Sequence, residues 1–235
     1  MIVTNIPNLS TKVQRYTGFT LAEVLITLGI VGVVAAMTIP TLMKNYQNVQ
    51  YYSAFQKGYA EISQIIQDLI YENVDMVGAI SEYGSIAGAI KAKAKIVKTC
   101  PGGTLDGECM PSNAITKNIN NAPSVENLSA RDRHVFQDGI SVNAGTNSNT
   151  CTRVYANMQD LCGEIIMDTN GIKPPNTRGR DIFYFFVTKN KLIPDGAPGS
   201  GHLEWIYWYC NPKISDQNGG KACATKLLQE GKMNY

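Results

Sequence analysis

Charge is scarce in this chain, and an excess of either sign is scarcer. Charged residues make up 17% of the 235, and the balance of Lys and Arg over Asp and Glu is only +2. Lys12 and Arg15 account for that excess, so bulk charge offers no hold on nucleic acid, and none is expected as a partner. Histidine is nearly missing: His134 and His202 are the whole supply. A serine or cysteine triad would need one of them, and neither lies near a nucleophile motif such as Gly-x-Ser-x-Gly. His202 follows the turn Pro198-Gly-Ser-Gly201, and both histidines read as surface or turn residues without the oriented partner a base requires. Tight Cys-x-x-Cys spacing with histidine help is also missing, which argues against zinc. No repeat period appears.

Six cysteines are present: Cys100, Cys109, Cys151, Cys162, Cys210 and Cys223. An even number, all in the downstream part of the chain, reads as disulfides of an exported domain. Many pairings are open to six cysteines, and the simplest joins neighbours: Cys100–Cys109, Cys151–Cys162 and Cys210–Cys223.

From Phe19 to Met43 the only charged side chain is Glu23. At ~1.5 Å per residue such a run makes a helix long enough to cross a hydrocarbon core of ~30 Å. A helix is the form expected, because lipid cannot pair free backbone groups. A carboxylate in that setting costs on the order of 3 kcal/mol near the bilayer centre, which marks Glu23 as a functional candidate. Pro40 has no N–H, so it either ends the span or kinks a continuing helix about one turn back, near Ala36. An ordinary secretory signal is the rival reading, with Lys12 and Arg15 as its basic region and Val34-Ala35-Ala36 as its cleavage site. A carboxylate at the start of the apolar region fits that rival poorly.

The run Gly18-Phe-Thr-Leu-Ala-Glu23 resembles the signal and N-terminal helix of type IV pilins and type II secretion pseudopilins. That resemblance implies a prepilin peptidase cutting between Gly18 and Phe19 and N-methylating Phe19. It implies that Glu23 meets the terminal amine of a neighbouring pilin or pseudopilin subunit, and that Pro40 kinks one long helix. The expected course is an inner-membrane, single-pass prepilin, held in lipid with its globular domain in the periplasm, which then enters a pilus or pseudopilus. The Cys210–Cys223 couple is similar, more weakly, to the disulfide-bounded end region of many pilins. The segments expected are a leader (1–18), a membrane and assembly helix (19–43), an amphipathic helix (44–77) and a globular remainder (78–235).

Beyond Pro40, Val49, Tyr52, Phe55, Tyr59, Ile62, Ile66, Leu69 and Val74 recur at helical steps with polar residues on the other faces. One helix is expected from about Phe19 to Asn73. A short helix is expected over Ile86–Val97, loop over Cys100–Ser129, a hairpin turning at Asp138-Gly139, and a polar flexible stretch over Asn143–Thr150. Strands are expected at Gly163–Asp168, Ile182–Thr188 and Leu203–Cys210, and a helix within Gly220–Gly231. The fold class is α+β, an antiparallel sheet packed on the amphipathic helix with disulfide-pinned loops.

Asp168 and Asn170, followed by Gly171, offer hard oxygen ligands at a turn and are candidate ligands for Ca2+. Some pseudopilins bind calcium in a loop of the sheet domain, although this segment is not a clear match to that loop. The alternative is a strand-to-strand turn in which these side chains bond their own backbone. Asp181 either caps the loop or pairs with Arg178 or Arg180. Three functional classes follow: a structural filament subunit, a binding module at a filament tip, and a secreted enzyme released from an ordinary signal peptide. The first is favoured, and no enzymatic activity is expected.

Overall fold

The computed structural model describes residues 18–103, 107–125, 128, 130–200 and 206–235. The chain divides into two compact units, residues 1–45 and 46–235.

The described part of the first unit is the start of helix α1 (Leu21–Glu72) with the three residues before it. Its apolar side chains are exposed, Leu25 by 61% and Val31 by 63%. The hydroxyls in the run bond back to helix carbonyls, Thr27 Oγ1 to Val24 O at 3.0 Å and Thr38 Oγ1 to Val34 O at 2.9 Å. Both hydroxyl donors are thereby satisfied within the helix itself. Helix α1 continues through Pro40, so the proline does not end it.

In the second unit α1 lays Phe55, Gly58, Ile62, Ile65, Ile66 and Leu69 into the core. Gly58 lets the sheet side chains approach closely: a Cβ would lie 2.5 Å from Met167 Sδ and 3.3 Å from Ile140 Cδ1. Val49 and Val74, expected on the buried face, are exposed by 63% and 88%. Helix α2 (Met76–Tyr83) starts where the Asp75 side chain accepts from Gly78 N at 2.9 Å and stops at Gly84, left-handed at φ 79. Helix α3 (Ile86–Lys93) is capped by Ser85 in the same way. It ends before Val97, because Ile96–Cys100 is strand β1.

Strands β2 (Asp132–Phe136), β3 (Ser141–Thr146), β4 (Arg153–Tyr155), β5 (Met158–Asp168), β6 (Ile182–Thr188) and β7 (Leu192–Pro194) complete an antiparallel sheet. Its order is β1-β2-β3-β5-β6-β7, with β4 on β5. Asn143–Thr146, expected to be flexible, lies inside β3 and pairs with β5. Leu203–Cys210 does not extend as a strand: its described part forms the helical turn α4 (Ile206–Tyr209), and Leu203, Glu204 and Trp205 lie outside the described residues. Helix α5 (Cys223–Glu230) closes the chain.

Strand β6 is buried along its whole length, which is why it reads as an unbroken apolar run rather than an alternating one. Phe183, Phe185 and Val187 join the core under α1, where the Phe183 ring meets Phe55 at 4.6 Å. Ile182 and Tyr184 join Ile166, Met110 and Leu128 in a second cluster on the other face. The segment after β1, read as loop, thus covers the outer face of the sheet.

Disulfides join Cys100 to Cys109, Cys151 to Cys162 and Cys210 to Cys223. The last ties the residue after α4 to the first residue of α5, and both cysteines are fully buried. Replacing Cys210 and Cys223 by serine is expected to cost about 2–4 kcal/mol. Thermal unfolding of the full chain in detergent, with and without reductant, measures it. The variant should match the reduced wild type at this bridge.

Candidate functional site

The N-terminal end of α1 is built from Gly18, Phe19, Thr20 and Glu23. Thr20 N and Thr20 Oγ1 both donate to Glu23 Oε2, at 2.8 and 2.9 Å, and Glu23 N donates back to Thr20 Oγ1 at 3.2 Å. This is a capping box, in which the carboxylate satisfies donors that the first helical turn leaves open. Glu23 therefore has a local task independent of any neighbour. Phe19 is 88% exposed one turn before it. Thr20 as cap was missed in the sequence, although Thr followed three residues later by Glu is the readable signature.

Among the described residues, nothing packs against the glycines of this segment. A Cβ on Gly18, Gly29 or Gly32 would meet nothing within 4 Å, and none of the three has a positive φ. A glycine inside a helix costs about 1 kcal/mol relative to alanine, so Gly29 and Gly32 weaken α1 with no packing return among the described residues. What they do provide is a narrow helix surface, with Ala35 and Ala36 further along, on which another helix can approach closely.

A second cluster lies at the connection between β5 and β6. Asp168 ends β5, fully buried, and Asp181 immediately precedes β6, also buried. Asp168 Oδ1 accepts from Asn170 N at 3.0 Å. Asp181 accepts from Asn176 N at 2.8 Å and from Thr177 N at 2.6 Å. Asp181 thus caps the loop with its own backbone, and it pairs with neither Arg178 nor Arg180. Arg178 is committed elsewhere, donating from Nη1 to Asn118 Oδ1 at 3.0 Å and to Gln217 O at 2.8 Å. Burial first, then the neighbouring Asp181 charge, pushes the Asp168 carboxyl well above its ordinary range. Burial raises Asp181 to about 6 against the pull of its backbone donors. Among the described residues, no group of three or more His, Cys, Asp or Glu converges as a metal cluster.

His134, expected at a surface or turn, is buried on β2 instead. Its Nε2 lies 3.0 Å from Ala87 O and its Nδ1 lies 3.1 Å from Thr99 Oγ1. A carbonyl only accepts, so Nε2 carries the proton and Nδ1 accepts from the hydroxyl. Desolvation lowers its pKa, which keeps the ring neutral as a brace between α3 and β1. His202 lies outside the described residues.

Residues 14–39 match the prokaryotic N-terminal methylation motif, whose family is structural rather than catalytic. No curated protein and no solved structure matches the chain. The motif covers Gly18, Phe19 and Glu23 and reaches the residue before Pro40; the described residues beyond it form an α+β, pilin-like unit. The chain carries, at its N-terminus, the prepilin-type cleavage and methylation motif of type IV pilins and pseudopilins.

Proposed function

We propose that this chain is a structural, non-enzymatic subunit of a type IV pilus or a type II secretion-like filament. It is made as an inner-membrane prepilin with residues 46–235 in the periplasm. A prepilin peptidase removes residues 1–18 and methylates Phe19, and the subunit then joins other pilin or pseudopilin subunits through α1. The observation that carries this reading is the methylation motif over residues 14–39, set at the start of a helix long and apolar enough to cross a membrane. Exposed apolar side chains over residues 19–43 and glycines that nothing among the described residues packs against support assembly through the same surface. The test is the intact mass and N-terminus of the protein from its native envelope. A chain beginning at N-methylated Phe19 is expected; one beginning near Met37 would mean release by an ordinary signal peptidase.

Within this reading Glu23 has two tasks that can be separated. Glutamine preserves the capping box but removes the charge, whereas alanine removes both. Glu23→Gln and Glu23→Ala are each expected to be cleaved normally. Each should enter filaments about tenfold less well, as the loss of roughly 1–2 kcal/mol of interhelical polar contact implies. Sheared-filament yield against total processed subunit measures it. Normal incorporation of Glu23→Gln would assign the carboxylate to local capping alone.

A further inference from the structure

The outer face of the sheet carries a cleft that the N-terminal motif does not use. Its lining comes from Arg153 and Tyr155 of β4, Glu164 of β5, and Tyr184 and Phe186 of β6. Asp195, just after β7, and Lys221, shortly before α5, also line it. The cleft holds about 150 Å³, well below the ~300–1,000 Å³ of sites for drug-sized ligands. It therefore suits a ligand of one ring. Strand β4 is exposed over its whole length, and Tyr155 itself by 37%.

Two aromatic rings form an angled apolar wall: Tyr155 meets Phe186 at 5.7 Å, with their planes 37° apart. The Tyr184 ring is already engaged by cations, Lys221 Nζ at 5.4 Å and the Arg178 guanidinium carbon at 5.5 Å. Glu164 is bound to Arg131, and Asp195 is buried to 1% exposure. Burial first, then the Asp195 and Glu164 charges, raises the Tyr155 phenol above its ordinary value, so its hydroxyl keeps its proton. The hairpin that presents Tyr155 is held in a costly shape. Cys151 at φ 53, Ala156 at φ 49 and Asp160 at φ 57 all take left-handed backbone without being glycine. The Cys151–Cys162 disulfide ties its base to β5. Backbone strain of this kind gathers at binding sites, where it fixes a side chain in place before the ligand arrives.

The lining carries both signs. A strongly anionic ligand would face Glu164 and Asp195, and a strongly cationic one would face Arg153 and Lys221, so neither gains much over the other. A neutral ring bearing hydroxyls uses all four. Each hydroxyl can donate to a carboxylate and accept from an arginine or lysine, while the ring's C–H face rests on an aromatic side chain. We propose that this cleft binds one neutral sugar ring, with Tyr155 as its platform and Arg153, Glu164, Asp195 and Lys221 as partners of its hydroxyls. The cleft lies wholly within residues 46–235 and does not depend on assembly through α1.

The test uses the full chain in a detergent whose headgroup is not a sugar. Glucose, galactose, mannose and N-acetylglucosamine are titrated singly and followed by ligand-observed NMR. At least one should bind, with a Kd on the order of 1 mM for so few atoms. Tyr155→Ala should weaken that sugar about tenfold, the scale of one aromatic contact. Its unfolding temperature should stay near wild type, because β4 is short and exposed. Arg153→Ala, also at an exposed position, should weaken the same sugar and keeps the test open if Tyr155→Ala fails to fold. A methyl glycoside that binds as well as the free sugar marks the end of a glycan, and one that does not marks a free monosaccharide; either supports the site. No response to any of the four sugars would overturn the ligand class. Binding unchanged in both variants would overturn the location, and tighter binding of sialic acid or glucosamine than of every neutral sugar would overturn the assignment to a neutral ring.

Discussion

Gly18→Val is expected to leave the chain uncut, with processing reduced by at least about a hundredfold, the scale on which a fitted pocket rejects an added side chain. The residue can be changed without disturbing the fold. A Cβ at Gly18 would meet none of the described residues within 4 Å, and the backbone there is not in a glycine-specific conformation. Phe19, next to it, is 88% exposed, so valine displaces no packed neighbour. Any loss of processing therefore reports recognition by the peptidase and not misfolding. The readout is the ratio of full-length to mature chain by mass, with the unfolding temperature as control. A variant chain that still begins at Phe19 would refute the assigned cut.

Phe55→Ala is expected to be the most destabilising change in the long helix, at about 3–5 kcal/mol. Phe55 is fully buried, with its ring 4.6 Å from Phe183 and 6.0 Å from Tyr59. It joins α1 to the interior of the sheet, since β6 carries Phe183 and lies between β5 and β7. Truncation removes the transfer energy of the ring and leaves a cavity that Gly58, one turn on, has no side chain to fill. A single domain commonly holds only about 5–15 kcal/mol in total, so the loss is a large share. At roughly 2–4 °C per kcal/mol for a domain of this size, the unfolding temperature should fall by on the order of 10 °C. Val49→Ala is the comparison. Val49 is 63% exposed, and its truncation should change stability by no more than about 0.5 kcal/mol.

The sequence pattern misplaced Val49 and correctly placed Phe55 for a physical reason. Helical spacing puts both within one broad stripe, but burial needs a partner surface, and the sheet reaches only part of the stripe. The same limit explains β3. Asn143, Gly145 and Thr146 look like flexible loop when judged by polarity, yet they pair with β5 and are covered from the far side. Leu203–Cys210 failed in the opposite direction. Its aromatic alternation is a strand pattern, but Cys210 is committed to Cys223 and the described residues turn as a helix there. Short segments obey whatever tertiary constraint reaches them first.

The span of α1, the hairpin at Asp138-Gly139, strand β6 and the N-terminal motif were all legible in the residues. Each is local: a period, a turn dipeptide or a contiguous run carries it, and no distant partner is needed to read it. What only the tertiary structure decided are the things made by residues far apart in the chain. His134 became a buried brace because α3 and β1 supply its two hydrogen bonds. The outer face of the sheet became a second core because Met110 and Leu128 fold over it. Asp168 became a carboxyl driven toward its neutral form because strand packing buries it and Asp181, thirteen residues on, arrives beside it. Local sequence sets what a segment prefers to be, and burial beside a distant segment sets what its side chains must do.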